Sequence, residues 1–229
     1  MTLTPAPTVA TTAHRPRLAI NRLKERGPVD AATVDRFLAR HPVPVVEGDR
    51  VTFLFRGEAD VVHIRHRVVG LADPLPLRRL AGTDLWFGTI ELPALSRVEY
   101  QVEIVRAGQV ERVNDPLNPR VAHSPFGPSS VCAAEGYAVP DWAQPDPEAR
   151  PGELIDLTVA SRALRRDHPV RVYLPARFQG SVRYPLLVVH DGTDYLEYAS
   201  AKPVLDNLIH RLDVAPLVVA FIPPGDRLV

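Results

Sequence analysis

The sequence predicts an antiparallel β-sandwich joined to an α/β unit, and three observations carry that prediction. Between Val51 and Ala134, short runs place apolar residues at every second position. Turn residues separate these runs roughly every 8–12 positions, the spacing of sandwich strands. Further on, residues 186–189 are four aliphatics in a row, the composition of a strand covered on both faces. Between the two patterns, residues 141–152 hold Pro145, Pro147 and Pro151 with three acids, which reads as a linker between domains.

Taken in order, residues 1–27 read as a flexible tail, rich in Thr, Ala and Pro over its first half. Asp30 is placed to cap a short helix that carries Val34, Phe37 and Leu38 on one face and ends at His41-Pro42. Val51, Phe53 and Phe55 then alternate with Thr52, Leu54 and Arg56 until Gly57 turns the chain. Further strands are expected at 60–68, 85–92, 97–105, 109–113 and 129–134, so that residues 28–140 form the sandwich. Asn114 to Pro119 is a loop stiffened by two prolines. After the linker at 141–151, residues 153–160 and 170–174 predict a hairpin whose polar tip spans 161–167. The aliphatic strand 186–189 runs into His190-Asp191-Gly192, helical spacing covers 200–212, and a second aliphatic strand covers 217–222 before Pro223-Pro224-Gly225. Residues 152–229 thus open a mixed α/β sheet.

Composition excludes several classes. A length of 229 residues suits one large domain or two modest ones. No apolar run approaches the ~18 residues of a membrane span. Lys+Arg and Asp+Glu both total 27, giving zero net charge, where a binder of nucleic acid or acidic membrane would show a basic excess. The single cysteine, Cys132, excludes an internal disulfide and a cysteine-built zinc site. The first residues lack the apolar core of a signal peptide, so a cytoplasmic location is expected. No motif calls for a cofactor or a metal.

Several stretches in order resemble one family. Val51-Thr-Phe-Leu-Phe-Arg-Gly57, Leu85-Trp-Phe-Gly88, Arg97-Val-Glu-Tyr100, Asp115-Pro-Leu-Asn-Pro119 and Tyr137-Ala-Val-Pro-Asp-Trp142 are similar to the N-terminal domain of enterochelin (ferric enterobactin) esterases. Val170-Arg-Val-Tyr-Leu-Pro175 and the run from Pro185 to Gly192 resemble the first part of their hydrolase domain. The resemblance implies an immunoglobulin-like early-set β-sandwich followed by an α/β-hydrolase domain. It also implies hydrolysis of a small-molecule ester, such as a ferric siderophore, by a Ser-His-Asp triad.

That triad is not found in these residues. The family's Gly-x-Ser-x-Gly elbow is expected a few tens of residues beyond Arg227, so the hydrolase domain over 152–229 reads as incomplete and inactive alone. The nearest imitation, Gly127-Pro-Ser-Ser-Val131, lacks the second glycine, and a strained nucleophile turn needs small neighbours. Ser129 reads as part of the loop entering the last sandwich strand. The residue carried over from the family is Thr193, whose backbone N–H would donate to an oxyanion, a term typically worth ~3 kcal/mol. Gly192 would supply the unusual backbone angles that aim it. The plain alternative is an ordinary turn at the end of a strand.

Other polar residues invite plainer readings. His63 and His66, three apart in a strand, point to opposite faces and read as surface residues. His190 is a strand-end residue near the pocket, and His210 favours a helix dipole. Arg162, Arg165 and Arg166 form a solvated hairpin tip that would suit an anionic ligand. Trp86 and Trp142 read as sandwich core and linker anchor. The competing function is a non-catalytic early-set binding module, with a carbohydrate as its ligand. Coding sequence following Val229 would separate the two. A further expectation is self-association through strand 186–189, which has no pairing partner on its far side.

Overall fold

The computed structural model describes residues 17–25, 27–68, 70, 73–163 and 165–225, and shows three β-sheets with a few helices. Residues 1–16 of the expected tail lie outside the described residues. The tail expectation fails for residues 19–24, because Ala19–Lys24 form helix α1 with Ala19, Ile20 and Leu23 buried. The start of α1 has no local side-chain cap; instead both carboxylate oxygens of Glu47 accept from the Ala19 N–H at 3.0 Å. A carboxylate there also complements the helix dipole. Helix α2 (Ala31–Arg40) follows, and the Thr33 N–H donates to its Asp30 cap at 2.8 Å, as expected.

Ten strands follow: β1 (Val45–Glu47), β2 (Arg50–Arg56), β3 (Val61–His66), β4 (Leu75–Pro76), β5 (Arg78–Arg79), β6 (Leu85–Glu91), β7 (Arg97–Arg106), β8 (Gln109–Val113), β9 (Val121–Ser124) and β10 (Gly127–Ala133). They make two antiparallel sheets, one ordered β1-β2-β6-β5, the other β4-β3-β7-β10-β9 with β8 also paired to β7. Val51, Phe53 and Phe55 of the first sheet meet Val62, Ile64, Val98, Tyr100, Val102 and Ile104 of the second in one core. The alternation in β2 predicts one buried face, yet Thr52 and Leu54 are buried as well. Leu54 belongs to a second cluster with α1 and α2, which cover the outside of the first sheet. The Thr52 hydroxyl finds that of Thr89 at 2.9 Å, so its burial leaves no polar atom unsatisfied.

The loop from Asn114 to Pro119 is stitched in by a buried network. The Tyr100 hydroxyl donates to Asp115 at 2.6 Å, and Asn118 donates to the Tyr100 oxygen and the Val131 carbonyl. Burial pushes the Asp115 carboxyl above its usual value and the Tyr100 phenol far up, which keeps the phenol protonated as the donor of this hydrogen bond.

The third sheet holds β11 (Glu153–Ser161), β12 (Arg166–Leu174), β13 (Leu186–Val189) and β14 (Val218–Phe221), ordered β11-β12-β14-β13. Only the β13–β14 pair is parallel, so the sheet is mixed. The hairpin is longer than expected, because β12 starts at Arg166. Pro169 lies opposite Thr158 of β11 and outside the 171–173 stretch that pairs with β14, so it leaves the β12–β14 ladder intact. Helices α3 (Gly192–Tyr198) and α4 (Ala201–His210) join β13 to β14. Ile209 of α4 packs on Tyr173, Val219 and Phe221.

Residues 141–152 are fastened to α4. The Asn207 amide donates to the carbonyls of Trp142 at 2.9 Å and Gln144 at 2.6 Å, and Arg211 pairs with Asp141 at 2.9 Å. Asp206 accepts from the Gly152 N–H, the Tyr173 hydroxyl and Lys202, all within 2.9 Å. Proline and acid made this stretch read as a plain linker, but its polar groups have fixed partners more than fifty residues away.

Candidate functional site

The site grows from the C-terminal end of β13. Asp191 takes the left-handed conformation, φ 55° and ψ 34°, and turns the chain from strand to helix. The expectation that Gly192 supplies the unusual angles is therefore corrected: the positive φ belongs to Asp191, a residue type that tolerates it. Gly192 is required for space. A Cβ there would lie 2.5 Å from the Cα of Phe221, so α3 starts directly against the backbone of β14. The Gly192 N–H donates to the Ile222 carbonyl at 2.6 Å and holds that approach.

One backbone donor is left over. The Asp194 N–H returns to the Asp191 carbonyl at 2.9 Å, and the Tyr195 N–H reaches the same oxygen at 3.3 Å. Among the described residues, no group accepts from the N–H of Thr193, which sits in the first turn of α3. An N–H at that position points outward along the helix start and carries part of the positive helix dipole. Its orientation is set by the Asp191 turn and the Gly192 contact.

An apolar cavity of about 690 Å³ adjoins this turn, lined by Leu187, Val188, His190, Tyr195 and Phe221, with Trp142 from the fastened segment. Trp142 is thus both anchored through its carbonyl and presented to the cavity. Residues 186–189 do not meet the expectation of a strand covered on both faces: Leu186 is 64% exposed, Leu187 44% and Val188 46%. Among the described residues strand β13 pairs with β14 alone, and these three side chains keep a large part of their surface open.

The remaining sequence candidates are dispersed. Ser129 lies in β10 of the second sandwich sheet, whereas Thr193 lies in α3, which follows β13 of the third sheet. His63 and His66 occupy opposite faces of β3, but His66 is buried rather than on the surface, and its ring nitrogen meets the Val68 N–H at 3.2 Å. His63 leans on Glu103 at 3.3 Å. Among the described residues, no three His, Cys, Asp or Glu side chains are grouped to hold a metal, and no helix is long and apolar enough to cross a membrane. Arg165 stands in the hairpin turn with φ 51°. Trp86 is buried, its indole N–H donating to the Gly57 carbonyl at 3.1 Å. Sequence reasoning missed α3 altogether, and with it the fact that Thr193 is a helix-start donor. The pairing of Asp191-Gly192 with a helix-compatible Thr-Asp-Tyr-Leu run was the available signal.

Comparison with known proteins adds the lineage. The family model for the N-terminal domain of enterochelin esterase matches residues 50–142, and the Esterase family model matches residues 161–228. The chain is 25% identical over 177 residues to the iron(III) enterobactin esterase of Escherichia coli, a match covering 68% of this chain and 44% of that one. Among solved structures it is similar to the enterobactin esterase of Shigella flexneri in the presence of enterobactin, with a TM-score of 0.55, 22% identity, and 76% and 52% of the two chains covered. It is also similar to the ferric enterobactin esterase of Salmonella typhimurium, with a TM-score of 0.58, 21% identity, and 76% and 53% coverage. At those identities the structural likeness is one of fold. The chain spans about half the length of the relatives it matches.

Proposed function

The chain belongs to the enterochelin esterase family, and from that premise we propose that it serves a cytoplasmic hydrolase that opens the ester bonds of a ferric siderophore. The observation that carries the reading is the N–H of Thr193, without an acceptor among the described residues at the start of α3 and held there by the Asp191 turn. In this reading residues 28–140 are an immunoglobulin-like early-set sandwich, and residues 152–229 are the first part of an α/β-hydrolase domain.

The chemistry is acyl transfer. A serine hydroxyl attacks the ester carbonyl while a histidine takes its proton, and the carbonyl oxygen becomes an oxyanion that the Thr193 N–H stabilises. Collapse of that intermediate releases the alcohol and leaves an acyl-serine, which water then hydrolyses by the same route. Residues 1–229 contain no Gly-x-Ser-x-Gly sequence, so by themselves they supply the oxyanion side without the nucleophile. Such a half-site gives only modest acceleration over water.

The test fuses residues 1–229 to the second half of the Shigella flexneri enterobactin esterase and follows hydrolysis of enterobactin. We expect turnover by the fusion and none by residues 1–229 alone. Thr193→Pro removes the N–H at a first-turn position that accepts proline, and should lower kcat by roughly 10²–10³. A folded, monodisperse fusion that is inactive, or one indifferent to Thr193→Pro, overturns the reading. Turnover by residues 1–229 alone that disappears on Ser129→Ala overturns it as well.

A further inference from the structure

We propose that the outer face of the second sandwich sheet carries a binding site for a planar aromatic anion, with Arg67 and Phe126 as its recognition pair. A groove of about 680 Å³ lies there, between the chain leaving β3 and the turn joining β9 to β10. Arginines dominate its lining, but most of them are committed. Arg97 pairs with Glu99 at 2.8 Å, Arg112 with Glu103 at 2.8 Å, and Arg65 with Glu103 at 3.0 Å and Asp73 at 3.6 Å. Arg67 has no carboxylate partner among the described residues. Its guanidinium carbon stands 6.0 Å from the centre of the Phe126 ring.

Phe126 is 73% exposed at the tip of the β9–β10 turn, so much of its ring surface can be reached by a ligand. A guanidinium beside an exposed ring offers a flat anion both an ion pair and a surface to stack on. One uncommitted cation does not make a polyanion site, which excludes a nucleic acid. A neutral sugar would use the ring but leave the guanidinium unanswered. The inference concerns the sandwich alone and does not depend on the esterase reading.

Saturation-transfer NMR and calorimetry on the 229-residue protein test it, with benzoate as the probe. Benzoate should bind at least about tenfold more tightly than acetate, benzyl alcohol or maltose, because only benzoate engages both groups. Arg67→Gln and Phe126→Ala should each weaken benzoate about fivefold or more. Both side chains are exposed, so circular dichroism should show both variants folded. Absence of benzoate binding, equal binding of the neutral or non-aromatic probes, preference for maltose, or indifference to both substitutions overturns the proposal.

Discussion

A methyl group on Gly192 would meet three atoms of Phe221 within 2.6 Å, two of them backbone, and backbone in a paired strand cannot yield as a flexible side chain can. Gly192→Ala should therefore destabilise the α/β part by about 1–3 kcal/mol, the usual cost of overpacking, read from urea unfolding. An unchanged midpoint would mean that α3 shifts freely on the sheet. Cys132 makes the opposite case, a group made inert by burial. Its side chain is 1% exposed, and burial pushes the thiol up to about 11. It should resist thiol reagents in the native protein at neutral pH and react fully in denaturant; rapid native labelling would contradict the packing. Glu103 is a buried carboxylate with three partners. Burial acts to raise its pKa, but Arg112, Arg65 and His63 together outweigh that, so it falls below the usual 4.5. A depressed carboxyl stabilises the fold above its unfolded value, and that contribution disappears as pH falls through the lower folded value. Glu103→Gln should cost about 1–3 kcal/mol at roughly pH 7, with the difference from the natural protein shrinking toward roughly pH 3. A difference independent of pH would assign the loss to packing instead.

Helix α1 shows how an element can be fixed by partners it does not resemble in sequence. Six residues are too few to hold a helix in water, yet Ile20 and Leu23 are buried and Glu47 caps the first turn. A fragment of residues 17–139 should give a dispersed amide NMR spectrum, since its two clusters are made within it. The shorter 28–139 should fold but lose about 3 kcal/mol or more, from uncovering Ile20 and Leu23 and the Leu54 face they protect. Poor dispersion for both fragments would mean that the third sheet is part of the same folding unit. The segment from Asp141 to Gly152 depends in a similar way on α4. Asn207→Ala would leave the carbonyls of Trp142 and Gln144 without their donor, and fast amide exchange should appear there.

Across the whole molecule the exposed edge of β13 is the feature most open to association. Among the described residues no strand pairs with its far side, and Leu186, Leu187 and Val188 are large, uncharged and exposed. Nothing in those four residues provides the charge, proline or bulge that normally blunts an edge. The 229-residue protein is expected to self-associate through this strand, and Val188→Lys should shift the distribution toward monomer. Size-exclusion chromatography with light scattering reads both outcomes. A monodisperse monomer at about tens of micromolar removes the edge as a contact, and an oligomer indifferent to Val188→Lys places the contact elsewhere.

Local pattern was enough for the longer strands and for α2 and α4, but not for α1, α3 or the short strands β1, β4, β5 and β9. Period-two alternation located β2, β3, β6, β7 and β10, the aliphatic runs located β13 and β14, and Asp30 marked the start of α2, because each signal lies within the element it describes. The family resemblance was likewise carried by short ordered stretches. Other features depended on residues distant in the chain, and no local pattern encodes them. Glu47 caps a helix 28 positions earlier, Asn207 fastens a segment over sixty positions away, and α1 with α2 turns the polar-looking face of β2 into core. The candidate site divides along the same line. Asp191-Gly192-Thr193 was visible as a turn after a strand, but the role of each residue came from packing. The approach of Phe221 makes Gly192 a matter of space and gives the positive φ to Asp191. The helix that begins there leaves the Thr193 N–H without an acceptor among the described residues.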